Sequence, residues 1–313
     1  MTAPSAPSAP SAPSGPSVAD ERARLLNLAY RMLGSRAEAE DVVQETYARW
    51  YALSEPQRAA VLAPHSWLTK VAGRICLDVL RSARVRRESY VGEWIPEPLP
   101  ERTEWLAGAA YEGAADPAER VTLDESVSMA FLVVLEAMTP AERVAFVLHD
   151  VFRYPFDEVA DIVGRSSAAC RQLASSARRR VRDARSSAGT VPTGGRARVV
   201  REFKEAWEAA DIQALVALLD PGATAVGDGG GLVSAVTRPI EGAERVARFF
   251  AERTLPGRLS VEETLVNGQP GLVAALDGAV VAVYAFDVVD ARIHRIWAVL
   301  NPEKLRPWTE QRP

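Results

Sequence analysis

Residues 155–182, PFDEVADIVGRSSAACRQLASSARRRVR, decide the reading of the chain around them. Their spacing predicts a helix, a tight turn at Gly164, and a second helix. On that second helix Cys170, Ala174, Ala177 and Val181 recur at steps of four, three and four, so small apolar groups share one inward face. The other face carries Arg171, Gln172, Ser175, Arg178, Arg179 and Arg182. Arginine and glutamine are the side chains that hydrogen-bond purine edges in the major groove or grip phosphates. The pattern is that of a helix-turn-helix reader of duplex DNA. Taken alone, an amphipathic helix at the edge of a bundle would explain it equally well, and the neighbouring segments shift the balance.

Length and composition bound the answer. A chain of 313 residues with 48% hydrophobic content holds two or three globular domains. The formal net charge of −4 looks wrong for a nucleic-acid binder, but charge is informative per domain. Locally, 171–185 sets six arginines against Asp183. Cys76 and Cys170 are far apart, and His65, His149 and His294 form no cluster, so neither a disulfide framework nor a zinc-ligand spacing exists. No metal and no other cofactor is expected, and a reducing cytoplasm fits. MTAPSAPSAPSAPSGPS at the start is a Pro/Ser/Ala repeat with no apolar core of a signal peptide, which predicts a disordered tail over 1–19. No apolar run approaches the roughly 18 residues that cross a bilayer, so no membrane partner is expected.

Composition shifts divide the remainder. Residues 20–89 read as helices broken at Gly34 and between Ser54 and Pro64. A linker over 90–116 opens on YVGEWIPEPLP (90–100), and a second helical block spans 117–186. Inside it, Thr139-Pro140-Ala141-Glu142 is a capping box with proline at the first helical position. A short linker (187–195) leads to 196–306, where two helices are followed by strand-like runs such as LVAAL, AVVAVYAF and IHRIWAVL; 307–313 reads as a tail. In the first block, Ala39, Val43, Thr46 and Trp50 face inward and leave Asp41, Gln44, Glu45 and Arg49 for a partner. Downstream, 64–88 buries Leu68, Ala72, Ile75 and Val79 and sets six basic residues, Lys70, Arg74, Arg81 and Arg84 among them, against Asp78 and Glu88. Such a helix can hold a phosphate backbone while Trp67 at its start stacks on an unpaired base, although Trp67 as a plain core anchor is equally compatible.

Together these stretches resemble the extracytoplasmic-function sigma factors, bacterial initiation factors that carry only sigma regions 2 and 4. DVVQETYARW (41–50) is similar to region 2.2, SWLTKVAGRICLDVLRSARVRR (66–87) to regions 2.3 and 2.4, and 139–182 to region 4. The resemblance implies two all-α sigma domains and two partners, core RNA polymerase and promoter DNA. It assigns Asp41, Gln44, Glu45 and Arg49 to the polymerase β′ clamp helices, with a region 4 contact to the β flap. It assigns Trp67, Lys70, Arg74, Asp78, Arg81 and Arg84 to the −10 element. Ser167, Ala168, Arg171, Gln172, Ser175, Arg178 and Arg179 fall to the −35 element. Two departures bear on promoter choice: Arg74 stands where the family often has asparagine, and Ala169-Cys170 where it has Thr-Val.

The last third resembles the SnoaL-like fold, an α+β cone around a pocket, on DGGG (228–231), VNGQPG (266–271) and NPEKL (301–305). Together with YVGEWIPEP this resembles the sigma subgroup with a fused SnoaL-like extension that modulates activity in cis. Tyr90, Trp94, Ile95 and Pro96 are then expected against Asp228, Gly229, Gly230 and Gly231. Leu232 follows where that subgroup often has a basic residue. Consecutive glycines permit close backbone approach, and Trp94-Ile95 beside Pro96 offers a stiff apolar plug. Two other readings compete. SnoaL-like folds include enzymes that use a pocket carboxylate or histidine, which makes Asp228, Asp277, Asp287 and His294 the available groups, and a small ligand in this domain is a further candidate partner. A helix-turn-helix regulator with a ligand-binding or enzymatic domain accounts for both ends of the chain but leaves the first helical block unexplained.

Overall fold

The computed structural model describes residues 18–88, 90, 92–100, 103, 127–186, 193–233, 235–236, 238–255 and 257–309. The Pro/Ser/Ala repeat and most of the 101–126 stretch lie outside them.

Four helices form the N-terminal block: α1 (Val18–Leu33), α2 (Arg36–Ala52), α3 (Glu55–Ala59) and α4 (Pro64–Glu88). The break between α1 and α2 is set by Gly34, whose φ of 68° is left-handed and whose N–H caps Tyr30 O at 2.7 Å. Ser35 then caps α2, its hydroxyl accepting from Glu38 N at 3.3 Å. The second block holds α5 (Met129–Glu136), α6 (Pro140–Phe146) running into a π-helical turn (Val147–Val151), α7 (Phe156–Val163) and α8 (Ser167–Ser186). The capping box at α6 is formed: Glu142 Oε2 accepts from Thr139 N at 2.9 Å, and Thr139 Oγ1 accepts from Glu142 N at 3.4 Å. Gly164 ends α7 with φ 72°, which turns the chain sharply into α8.

Sequence divides these helices into two domains, yet they share one apolar core. Leu25, Leu28, Ala72 and Cys76 of the first block pack in the same cluster as Phe131, Phe146, Ile162 and Cys170 of the second. Polar contacts cross the same seam. Buried Tyr154 donates to Thr69 Oγ1 of α4 at 2.8 Å, and Arg143, 3% exposed, reaches Met32 O at 2.9 Å and Glu136 Oε1 at 2.6 Å. Burial drags the Arg143 guanidinium down to about 9, so its two oxygen partners offset a large desolvation cost.

The C-terminal domain is α+β: α9 (Thr193–Glu208), α10 (Ile212–Leu218), β1 (Leu219–Asp228), β2 (Ile240–Glu241), α11 (Ala243–Ala251), β3 (Leu259–Val266), β4 (Gln269–Leu276), β5 (Ala279–Val289), β6 (Arg292–Val299) and α12 (Arg306–Thr309). The strands make one six-stranded sheet in the order β2-β1-β6-β5-β4-β3, with β1 parallel to β6 and the other pairs antiparallel. On one face α9, α10 and α11 bury Phe203, Trp207, Leu215 and Phe250 against Leu272, Ala282, Ile293 and Ile296. The opposite face, with Val273, Val283, Ala285, Trp297 and Val299, is covered by Met129 of α5 and by Ile95 of the linker. The expected tail at 307–313 needs correction: Pro307 and Trp308 are buried, and Trp308 Nε1 donates to Pro98 O at 2.8 Å.

Candidate nucleic-acid interface

Three faces carry the charge that a promoter or a polymerase would meet. On α2, Ala39, Val42, Val43 and Thr46 are buried, which leaves Asp41, Gln44, Glu45 and Arg49 exposed on one side. Glu45 and Arg49 pair at 2.8 Å, an exposed bond that breaks at little cost when a partner arrives.

On α4 the basic side chains are not all open. Asp161 of α7 accepts from Lys70 Nζ at 2.6 Å through its carboxylate and from Arg74 Nη2 at 2.9 Å through its carbonyl. Lys70 draws the Asp161 carboxyl below its usual range. Gly73 lies between them, and a Cβ there would come 2.9 Å from Ile162 Cγ2. The second block thus sits on the face assigned to the −10 element. Farther along, Asp78 and Arg81 are exposed and paired at 3.3 Å, and the Arg84 side chain lies outside the described residues. Trp67 is half-buried, its ring 5.2 Å from that of Trp50.

The α8 helix buries Cys170, Ala174 and Ala177 completely and turns Ala168, Arg171, Gln172, Ser175 and Arg179 outward. Two residues of the expected reading set are engaged within the block. Ser167 Oγ donates to Asp157 Oδ1 at 2.5 Å, and Arg178 bonds Asp150 Oδ1 at 2.5 Å. Arg171 lies over the Phe156 ring at 5.4 Å, which fixes its root beside the turn.

The linker forms a strap between the first block and the C-terminal domain. Asp228, 1% exposed, accepts from Tyr90 Oη at 2.6 Å, Ile95 N at 3.0 Å, Gly230 N at 3.0 Å and Lys304 Nζ at 2.7 Å. Lys304 also bonds Ile95 O at 2.5 Å and lies 4.1 Å from the centre of the Trp94 ring. Gly230 must be glycine here: its φ is 63° and a Cβ would fall 2.4 Å from Asn301 Nδ2. Gly229 packs beside the Val233 carbonyl, while Gly231 is exposed at the turn. Pro96 and Trp94 rest on Gly34, where an added Cβ would come 3.0 Å from Trp94. Farther along, Leu99 exchanges two hydrogen bonds with Asn267 (3.0 and 2.9 Å), and Asn267 Nδ2 donates to Tyr30 Oη at 2.7 Å. Tyr30 in turn donates to Glu97 O at 2.7 Å, and Glu97 Oε2 accepts from Arg36 N at 2.7 Å. Tyr30, Asn267, Lys304 and Trp308 were not singled out from sequence. Asn267 and Lys304 lie inside VNGQPG and NPEKL, so the signal was present as motifs without a function.

Three of the four groups available for catalysis are engaged in other contacts. Asp228 closes the strap, Asp277 pairs with Arg258 at 2.7 Å, and His294 faces Asp220 at 3.6 Å. Between the sheet and its helices, Phe203, Trp207, Phe250, Tyr284 and Phe286 pack edge to face or tilted, Trp207 lying 5.0 Å from Phe250 and 5.2 Å from Tyr284. Neither a metal-competent cluster nor a helix long and apolar enough to cross a membrane occurs among the described residues.

Comparison with known proteins agrees with this anatomy. Residues 18–86 match the model of sigma-70 region 2, and 128–181 that of sigma-70 region 4. The chain is 38% identical over 294 residues to the ECF RNA polymerase sigma factor SigJ of Mycobacterium tuberculosis, covering 90% of each protein. It is 36% identical over 288 residues to the "Probable ECF RNA polymerase sigma factor SigI" of the same species, covering 91% of this chain and 92% of that one. The crystal structure of SigJ superposes with a TM-score of 0.70 at 35% identity, over 92% of this chain and 96% of that one. With both sigma regions matched and similarity running through the C-terminal domain, the chain belongs to the ECF RNA polymerase sigma factors and acts in transcription initiation with core RNA polymerase and promoter DNA.

Proposed function

We propose that this sigma factor is held closed by its own C-terminal domain and opens on core RNA polymerase. In the open form, Asp41, Gln44, Glu45 and Arg49 engage the β′ clamp helices and region 4 engages the β flap. Trp67 and the α4 cations then melt and read the −10 element, while Arg171, Gln172 and the rest of the exposed α8 face read the −35 element. The observation that carries this reading is Asp161 lying on Lys70 and Arg74. Elements centred about 25 base pairs apart are on the order of 85 Å apart at about 3.4 Å per pair. Two blocks in side-chain contact cannot occupy both, so the shared core must part before a promoter is bound.

The strap ties this opening to the C-terminal domain. Its inner carboxylate, Asp228, is tolerable in the interior only while its donors stay in place. Replacing it by alanine leaves Lys304 buried without that carboxylate, a change worth about 3–5 kcal/mol in comparable buried pairs. The test is transcription with purified core polymerase, comparing the full chain, Asp228→Ala, and a chain ending at Ser186. Asp228→Ala is expected to raise promoter-directed RNA and the truncated chain to differ from the full one. Identical yields from all three across a panel of promoters would remove the regulatory role.

A further inference from the structure

A cleft of about 250 Å³ lies where α5 and the end of α8 meet the sheet of the C-terminal domain. Met129, Phe131 and Val134 of α5 form one wall; Val266 and Ala285 of the sheet form the other. It shares no residue with the space at the cone mouth beside Trp207 and Leu255.

One end of the cleft is polar and unbalanced. Arg196 of α9 donates through Nη1 to Gln269 Oε1 at 2.9 Å, while its Nε is buried without a hydrogen-bond partner. Arg295, also on the lining, stands opposite Asp287 in the β5–β6 register. Burial pushes the Asp287 carboxyl up against the opposing pull of Arg295, His294 and Arg196, and Asp287 is the one acid on the lining among the described residues. Two guanidinium groups therefore face one carboxyl at the end of an apolar slot. An unpaired buried N–H seeks an acceptor, and an anionic acceptor gains most.

We propose that this cleft binds an amphipathic monocarboxylate, an aromatic or medium-chain acid, with its carboxylate on Arg196 Nε and Arg295 and its apolar body between α5 and the sheet. The volume falls below the roughly 300–1,000 Å³ of drug-sized pockets, which limits the occupant to a small acid. Because such a ligand touches region 4 and the C-terminal domain at once, it binds the docked arrangement and not the parted one. By linkage it holds the sigma factor closed, an effect that rests on the closed-state reading above, whereas the site itself does not.

The test uses the full chain and 4-phenylbutyrate, with 4-phenylbutanol as the uncharged analogue, in isothermal titration calorimetry. Saturable one-to-one binding of the acid is expected, weakened about tenfold or more in the alcohol and in Arg196→Met, as loss of a charge-assisted hydrogen bond predicts. Val134→Trp, which fills the slot, should abolish binding; Leu255→Trp, at the cone mouth, should leave it unchanged. Thermal melting of each variant separates loss of the site from loss of the fold. No saturable binding, equal affinity for acid and alcohol, or wild-type affinity in both Arg196→Met and Val134→Trp would overturn the site. Saturating acid should also lower transcription by the full chain and not by the chain ending at Ser186. Binding without that change would overturn the regulatory half and leave the site standing.

Discussion

Glu97 shows how one side chain reports on the strap. It is 6% exposed, and burial raises its carboxyl above the ordinary range despite bonds from Arg36 N and Ser35 Oγ. A raised folded value means the folded state binds the proton more tightly. The stabilisation is complete below the ordinary carboxylate value and is lost as pH rises through the raised one. The melting temperature of the full chain should thus fall over that window by more than in Glu97→Gln, which cannot titrate. Parallel melting curves against pH for the two proteins would refute the assignment. Residues of this kind divide sharply in legibility. The Thr139–Glu142 box and Gly164 were readable because their partners lie within four positions. Asp228 was readable only as part of a glycine motif, since its donors come from Tyr90, Ile95 and Lys304, far off in the chain.

Among elements, the inward face of α8 was written in the sequence. A helix with three wholly buried small side chains at steps of four and three has one possible inward face, and the arginines follow. Arg171→Ala or Gln172→Ala should cost roughly 1–3 kcal/mol at one base position of the −35 element. Competition binding by holoenzyme against single-base promoter variants measures it, and an unchanged preference at every position would displace α8 from that role. Arg178→Ala is different in kind, because its ion pair with Asp150 holds α8 on the turn after α6. Other elements hid themselves. The β1 strand carries Pro221-Gly222 near its start and shifts register against β6 between Leu219 and Thr224, so no alternation announced it. The short helix α11 is apolar on one side only, over nine residues, too few to stand out between loops.

At the scale of the molecule, what escaped the sequence was which surfaces meet. Periodicity marks a face as apolar and says nothing about its partner, so α5 could have packed in its own block alone. Instead Phe131 enters the sigma core while Met129 sits on the sheet, and a single short helix joins the two. The closed form makes a distance prediction. Cys76 and Cys170 are buried, so fluorophores can be placed at the exposed positions Ser82→Cys and Ser175→Cys. Energy transfer between them should be high in the free protein and fall when core polymerase binds. Transfer that stays constant on binding would rule out the parting of the two blocks.

The strap also sets a sequence of events at the ribosome. Residues 90–100 are synthesised long before Asn267, Asn301, Lys304 and Trp308, the groups that fasten them. At about 5–20 residues per second the interval is roughly 10–40 s. In the later part of it, once α8 has been made, the nascent chain owns every side chain proposed to read the promoter and still lacks Asn301, Lys304 and Trp308, so self-restraint is a property that translation confers last.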